Sequence, residues 1–183
     1  WNLTLAEAQG FDAGSWFGKK FSHERIPALG EVIDILPRRL LLNVEVKTDG
    51  QQRSRTRLAA KLARLLVEKE CTSSMIVSSF DHAFLKRLHA ASPEIRIAAL
   101  YLRVRDFHKK PSAMCKKIGA SAFVCSRAQL NKRIAADVDK AGLVLACYGI
   151  NKRKDVEKAL SLGATILITD HPNEIRGQRS IDF

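Results

Sequence analysis

The chain has 183 residues, 46% of them apolar and 27% charged, and a formal net charge of +12 from 31 basic and 19 acidic side chains. This suits one globular domain with a substantial core and excludes a disordered chain. No apolar run approaches the ~20 residues that a membrane-spanning helix needs.

The basic balance favours phosphate-bearing partners, whether nucleic acid, anionic lipid or small phosphoesters. The cations are scattered through helical patterns, as in Lys152, Arg153, Lys154 and Lys158. There is no arginine-rich tract and no aromatic stacking platform. Solvated helix faces are therefore the simplest reading and nucleic acid is not expected. A weak contact with an anionic membrane surface is the other partner that the charge allows. The cysteines Cys71, Cys115, Cys125 and Cys147 form no Cys-x-x-Cys pair, which argues against a zinc knuckle. Cysteines in or beside apolar segments behave as small hydrophobes and fit a reducing, cytoplasmic setting.

Residues 1–39 read as an irregular loop and helix. Thr4 begins a short helical piece over Leu5 to Gln9. Asp12-Ala13-Gly14 and Trp16-Phe17-Gly18 have no regular period, so Trp16 and Phe17 are expected to shape a pocket rather than enter the core. Pro27 opens a second helix, through Val32, Ile33 and Leu36, that ends before Pro37.

From residue 40 to 183, short apolar runs alternate with amphipathic stretches. The runs are Leu40–Val46, Ser74–Ser79, Ile95–Leu100, Ala120–Cys125, Leu143–Cys147 and Thr165–Ile168. They are rich in Val, Ile and Leu without clean alternation, as strands buried on both faces are. Between them, Leu58, Leu62, Leu65 and Leu66 make one helical stripe and Phe84, Leu85 and Leu88 another. Ile134 with Val138, and Val156 with Ala159 and Leu160, make two more. Asp81 and Asn151 stand where N-caps are wanted, and Gly142 and Gly163 where left-handed helix ends are wanted. Six such units imply a parallel sheet with right-handed crossovers in one domain. The pattern alone does not separate an open sheet from a barrel, and no Gly-x-Gly-x-x-Gly points to a dinucleotide.

In such folds the ligand site lies beyond the carboxyl ends of the strands. On the first run Asn43, Glu45 and Lys47 are two apart and share a face. A carboxylate and an ammonium there suit a metal ion and a phosphate oxygen. The alternative is a Glu–Lys ion pair capping the strand, and the residues alone weigh the two evenly. The second run ends Ser78-Ser79-Phe80-Asp81. There the two hydroxyls of Ser78 and Ser79 can bond a substrate, with Ser79 the substrate-binding candidate, and Phe80 can supply an apolar wall, or the serines bond backbone beside an Asp81 N-cap. Tyr148 follows the fifth run and either lines a pocket or joins the core. After the sixth run Asp170 is either a ligand or base or, the favoured reading, a structural residue. His171 beside it and His82 after the second run are acid–base candidates by type but read better as surface histidines.

Together these segments resemble the glycerophosphodiester phosphodiesterase family. The carriers are Asn2-Leu3-Thr4-Leu5-Ala6-Glu7 with Phe11-Asp12-Ala13-Gly14, Ile26-Pro27-Ala28-Leu29-Gly30-Glu31-Val32, Leu42-Asn43-Val44-Glu45-Val46-Lys47, Ser78-Ser79-Phe80 and Ile168-Thr169-Asp170-His171-Pro172. The resemblance implies a (β/α)8 TIM barrel of which this chain supplies about six βα units, strands three to eight, with residues 1–39 as an insertion. It implies hydrolysis of small glycerophosphodiesters to glycerol 3-phosphate and an alcohol, with a divalent cation (Mg or Ca) as cofactor. It makes Glu45 a metal ligand, Lys47 a phosphate contact, and Ser79, Phe80, Tyr148, Trp16 and Phe17 substrate-binding candidates. It also places the acid and base histidines and two further carboxylates upstream of Trp1, so that residues 1–183 alone are expected to be inactive. Tyr148-Gly149-Ile150-Asn151 departs from the family's Trp-Thr-Val-Asn, which bears on the preferred alcohol. The competing readings are phospholipase D-like action on lysolipids and a non-catalytic barrel that binds phosphoesters.

Overall fold

The computed structural model describes residues 3–37 and 39–176. Its helices are α1 (Leu5–Gln9), α2 (Leu29–Ile35), α3 (Gln52–Glu68), α4 (His82–Ala91), α5 (Arg103–Asp106), α6 (Pro111–Ile118), α7 (Lys132–Lys140), α8 (Arg153–Ser161) and α9 (Pro172–Arg176). The strands are β1 (Leu42–Glu45), β2 (Met75–Ser79), β3 (Ile97–Leu100), β4 (Ala122–Ser126), β5 (Val144–Tyr148) and β6 (Ile166–Ile168). All neighbouring strands are parallel, and the sheet runs β1-β2-β3-β4-β5-β6 in chain order. Chain-ordered parallel strands are barrel order, and β1 and β6 are outer strands among the described residues. No described helix is long and apolar enough to cross a membrane.

The six apolar runs become six strands with ends shifted by one or two residues. The register sorts their side chains into two layers. Val44, Val77, Ala99, Phe123 and Cys147 belong to the larger cluster against the helices, with Leu62, Leu66, Phe84, Leu85 and Leu88. Ala98, Leu100, Ala122, Val124 and Ala146 form a second cluster on the other face, against which Ile76, Phe80 and Tyr148 pack. The row Glu45–Ser78–Ala98–Ala122 follows from the pairing. Small residues in that row let the sheet curve inwards, so this is the concave, barrel-interior face. All four cysteines are free and buried, including the one that lies outside the apolar segments.

The punctuation follows local chemistry. Thr4 and Glu7 form a capping box at α1, and Asp81 caps α4 by accepting from the N–H groups of Ala83 and Phe84 at 3.1 Å each. Gly142 and Gly163 have φ of 64° and 80°, as expected of residues that end helices in the left-handed region. Asn151 does not cap α8; Lys152 holds that position. The Asn151 amide instead donates to Asp170 Oδ2 at 2.7 Å and accepts from the Asp170 N–H and the Thr169 hydroxyl. It clamps the ends of β5 and β6 together and gives Asp170 the structural role expected of it.

The helical turns of residues 103–118 lie outside the four stripes read from the sequence. They turn on Asp106, which is wholly buried. Arg105 donates to it at 2.6 and 2.9 Å, Lys109 at 2.8 Å and the Leu102 N–H at 3.1 Å. Burial by itself would raise this carboxyl's pKa; the hydrogen bonds from Arg105, Lys109 and Leu102 outweigh it and hold the group far below the usual carboxylate range. Asp106→Asn is expected to lower unfolding free energy by roughly 1–2 kcal/mol, since it removes charge-assisted bonds to half-exposed cations. A depressed folded pKa stabilises the fold above the unfolded pKa, and that contribution fades as pH falls through the folded value. Urea titrations should therefore find the difference between variant and wild type at neutral pH, shrinking in strong acid.

Candidate active site

The carboxyl ends of the strands bring four segments to one rim. On β1, Leu42, Val44 and Val46 pack on the helical layer, so Asn43, Glu45 and Lys47 turn to the concave side. All three are exposed among the described residues. Lys47 Nζ stands 3.8 Å from Glu45 Oε1, and the Glu45 side chain is 41% exposed. The burial cost that would demand a counter-ion for Glu45 is therefore absent here, and the contact with Lys47 is loose.

Ser78 pairs with Glu45 in the β1–β2 register and shares its face. Its hydroxyl is buried and has no hydrogen-bond partner. Ser79 points the other way. It donates to the Val46 carbonyl at 2.6 Å and accepts from the Asp81 N–H at 3.0 Å. Of the two serines it is Ser78, not Ser79, that keeps a hydroxyl free on the concave face. Strand register carries that signal, because Ser78 pairs with Glu45 and its row continues through Ala98 and Ala122.

Phe80 and Tyr148 both pack on the concave cluster. Burial pushes the Tyr148 phenol up, a hydrogen bond with Ser126 opposes this, and the negative charge of Glu45 adds to the rise. Glu45 on β1 and Tyr148 on β5 lie on the same concave face. Val46, Lys47, Thr48, Arg55, Ser79, Phe80, Asp81 and Arg105 surround a hollow of about 300 Å³ at the ends of β1 and β2. Asp81 organises its wall by accepting from Thr48 and from Arg55, both at 2.5 Å. Burial raises the Asp81 pKa, but the bonds from Thr48, Arg55 and Phe84 prevail and lower it overall.

Trp16 and Phe17 are outward-facing, 82% and 72% exposed. Their loop is built rather than loose. Asp12 accepts from the Gly14 and Ser15 N–H groups at 2.9 and 2.8 Å; the Ser15 hydroxyl, foremost, and these two N–H groups bring its pKa down to about 2. Trp16 Nε1 donates to the Ala13 carbonyl at 2.8 Å, and the rings of Trp16, Phe17 and Phe21 stack in series. His82 is not a surface group. Its Nε2 bonds the Leu100 carbonyl at 2.9 Å, and burial, foremost, lowers its pKa. His171 lies 3.6 Å from Glu174.

Among the described residues no three His, Cys, Asp or Glu side chains stand together as a metal cluster. Glu45 has the chemistry of one cation ligand. It is an accessible carboxylate that, among the described residues, meets only a loose lysine contact, beside a hydroxyl with no partner among them.

The sequence pattern of the Glycerophosphoryl diester phosphodiesterase family matches residues 1–174. The chain belongs to that family, a family of phosphoric diester hydrolases. A glycerophosphodiester phosphodiesterase of Caldanaerobacter subterraneus is 27% identical over 177 residues, covering 95% of this chain and 70% of that one. One from Bacillus altitudinis is 24% identical over 176 residues, covering 94% and 70%. An Oleispira antarctica phosphodiesterase, solved in complex with the product sn-glycerol-3-phosphate, superposes with a TM-score of 0.84 at 22% identity, over 95% of this chain and 69% of that one. Membership in the family and likeness to that fold make the chain-ordered sheet part of a (β/α)8 barrel.

Proposed function

We propose that the protein hydrolyses small glycerophosphodiesters to glycerol 3-phosphate and an alcohol, at the concave rim and with a divalent cation. The observation that supports this best is the trio Glu45, Lys47 and Ser78 on one face at the rim of a barrel of this family. The resemblance to relatives of that name supplies the substrate class.

A phosphodiester is an anion, so attack on it is slow until its charge is neutralised. Glu45 would hold one side of the cation. When bound, a divalent cation neutralises charge at a non-bridging phosphate oxygen. Lys47 reaches out from the same strand face as a second positive group and can donate to another phosphate oxygen. Ser78 offers a hydroxyl to the ligand shell or to the phosphate. Phe80 and Tyr148 give the substrate an apolar wall with one phenol. None of the concave-face residues in β1–β6 is a histidine, so the acid and base are not assigned to these strands.

Action on lysolipids is a second reading, favoured by the exposed Trp16 and Phe17 rings in series with a half-buried Phe21, over whose ring Lys20 stands at 4.9 Å. In the protein as it occurs, glycerol 3-phosphate release from glycerophosphocholine is expected to stop with a chelator and return with Mg or Ca. Trp16→Ala is expected to raise KM, most for a lysolipid if that reading holds. Product release that ignores the chelator would remove the cation from the account. Binding of diesters without any turnover would leave a phosphoester-binding barrel.

A further inference from the structure

The segment Leu102–Lys110, directly after β3, carries four cations against one carboxylate. That carboxylate, Asp106, is the buried anchor described above. Arg105 also donates to the Phe80 carbonyl at 2.8 Å. The anchoring fixes the backbone, yet it leaves Val104 88% and Phe107 71% exposed. Rigidly presenting two apolar side chains to water wins nothing within the fold. Around them, Arg103 and Lys110 have no ion-pair partner among the described residues. With Arg133 they line a groove of about 760 Å³ that Val104 and Phe107 share. The one carboxylate there, Asp137, is engaged by the Ser112 N–H and hydroxyl at 2.8 and 3.0 Å.

We propose that this segment docks the protein on an anionic phospholipid bilayer, with Val104 and Phe107 entering the interface and Arg103, Lys110 and Arg133 meeting lipid phosphates. The pattern is what such a surface requires: protruding apolar tips ringed by unpaired cations, on a chain of net charge +12. A nucleic-acid surface would want stacking faces rather than a valine tip. The segment lies at the carboxyl end of β3, the same rim of the parallel sheet as Glu45 and Lys47, and Arg105 lines the hollow beside Lys47. A docked bilayer would therefore face the candidate site. The proposal does not depend on the hydrolytic reading, because docking is measured without substrate.

The test is co-sedimentation of the full chain with vesicles of phosphatidylcholine containing phosphatidylglycerol, against phosphatidylcholine alone. Binding is expected to the anionic vesicles and to fall as salt rises. A Val104→Asp, Phe107→Asp double variant is expected to lower the partition coefficient at least about tenfold, as loss of one buried apolar side chain would. Its melting temperature should not change, since both positions are exposed. Arg103→Gln with Lys110→Gln is expected to lower it about 25-fold, at roughly five-fold per cation. Absence of binding to anionic vesicles, equal binding to both kinds, or an undiminished Asp double variant would overturn the proposal. So would capture of RNA that survives the Asp variant, or self-association that the Asp variant abolishes.

Discussion

Glu45→Gln is expected to lower kcat/KM for glycerophosphocholine at least about 100-fold, since a catalytic cation contributes several kcal/mol to the transition state. The substitution keeps shape and removes only the charge. Glu45 is exposed, its side chain makes no hydrogen bond to a described residue, and its charged neighbour is Lys47 at 3.8 Å, beyond hydrogen-bond distance. The melting temperature should therefore stay within about a degree or two of wild type, because loose, exposed ion pairs contribute little to stability. A large loss of activity with an unchanged melt separates a role in catalysis from one in the fold. A large drop in the melt would instead make the residue the partner of Lys47 and little more.

Lys47→Met should lower kcat/KM by about 1.5–3 kcal/mol, roughly 10- to 150-fold, the worth of one charge-assisted contact to phosphate. Lys47 extends past the end of β1 into open space. Its stem is not packed, so methionine should cost the fold nothing. If the lysine acts on the transition state, the loss appears in kcat as well as in kcat/KM; if it only gathers the anion, KM alone rises. Steady-state kinetics on both variants distinguish these cases.

Much of this was legible in the sequence because parallel strands buried on both faces advertise themselves as apolar runs. Two-residue periodicity alone sets Asn43, Glu45 and Lys47 on one face. The same periodicity, carried across to β2, would have chosen Ser78 over Ser79. That step needs the strand register, which no single strand reveals. Asn151 looked like a cap because asparagine before a helix usually is one; its amide found better partners in Thr169 and Asp170, which only tertiary pairing brings near. Asp106 was invisible for a related reason. In the sequence it is one acid among four cations, and burial decides that it is an anchor rather than a surface charge. His82 likewise read as a surface group until the sheet placed the Leu100 carbonyl against its ring.

The most direct test of the concave-rim site is the metal dose-response of glycerol 3-phosphate release, run on the wild-type protein and on Glu45→Gln after chelation. With Glu45 as a ligand, the variant should need a far higher concentration of Mg or Ca for its half-maximal rate, and excess cation should restore part of the lost activity. An identical half-maximal concentration in both proteins would contradict the account, because it would mean that the cation does not bind where Glu45 stands.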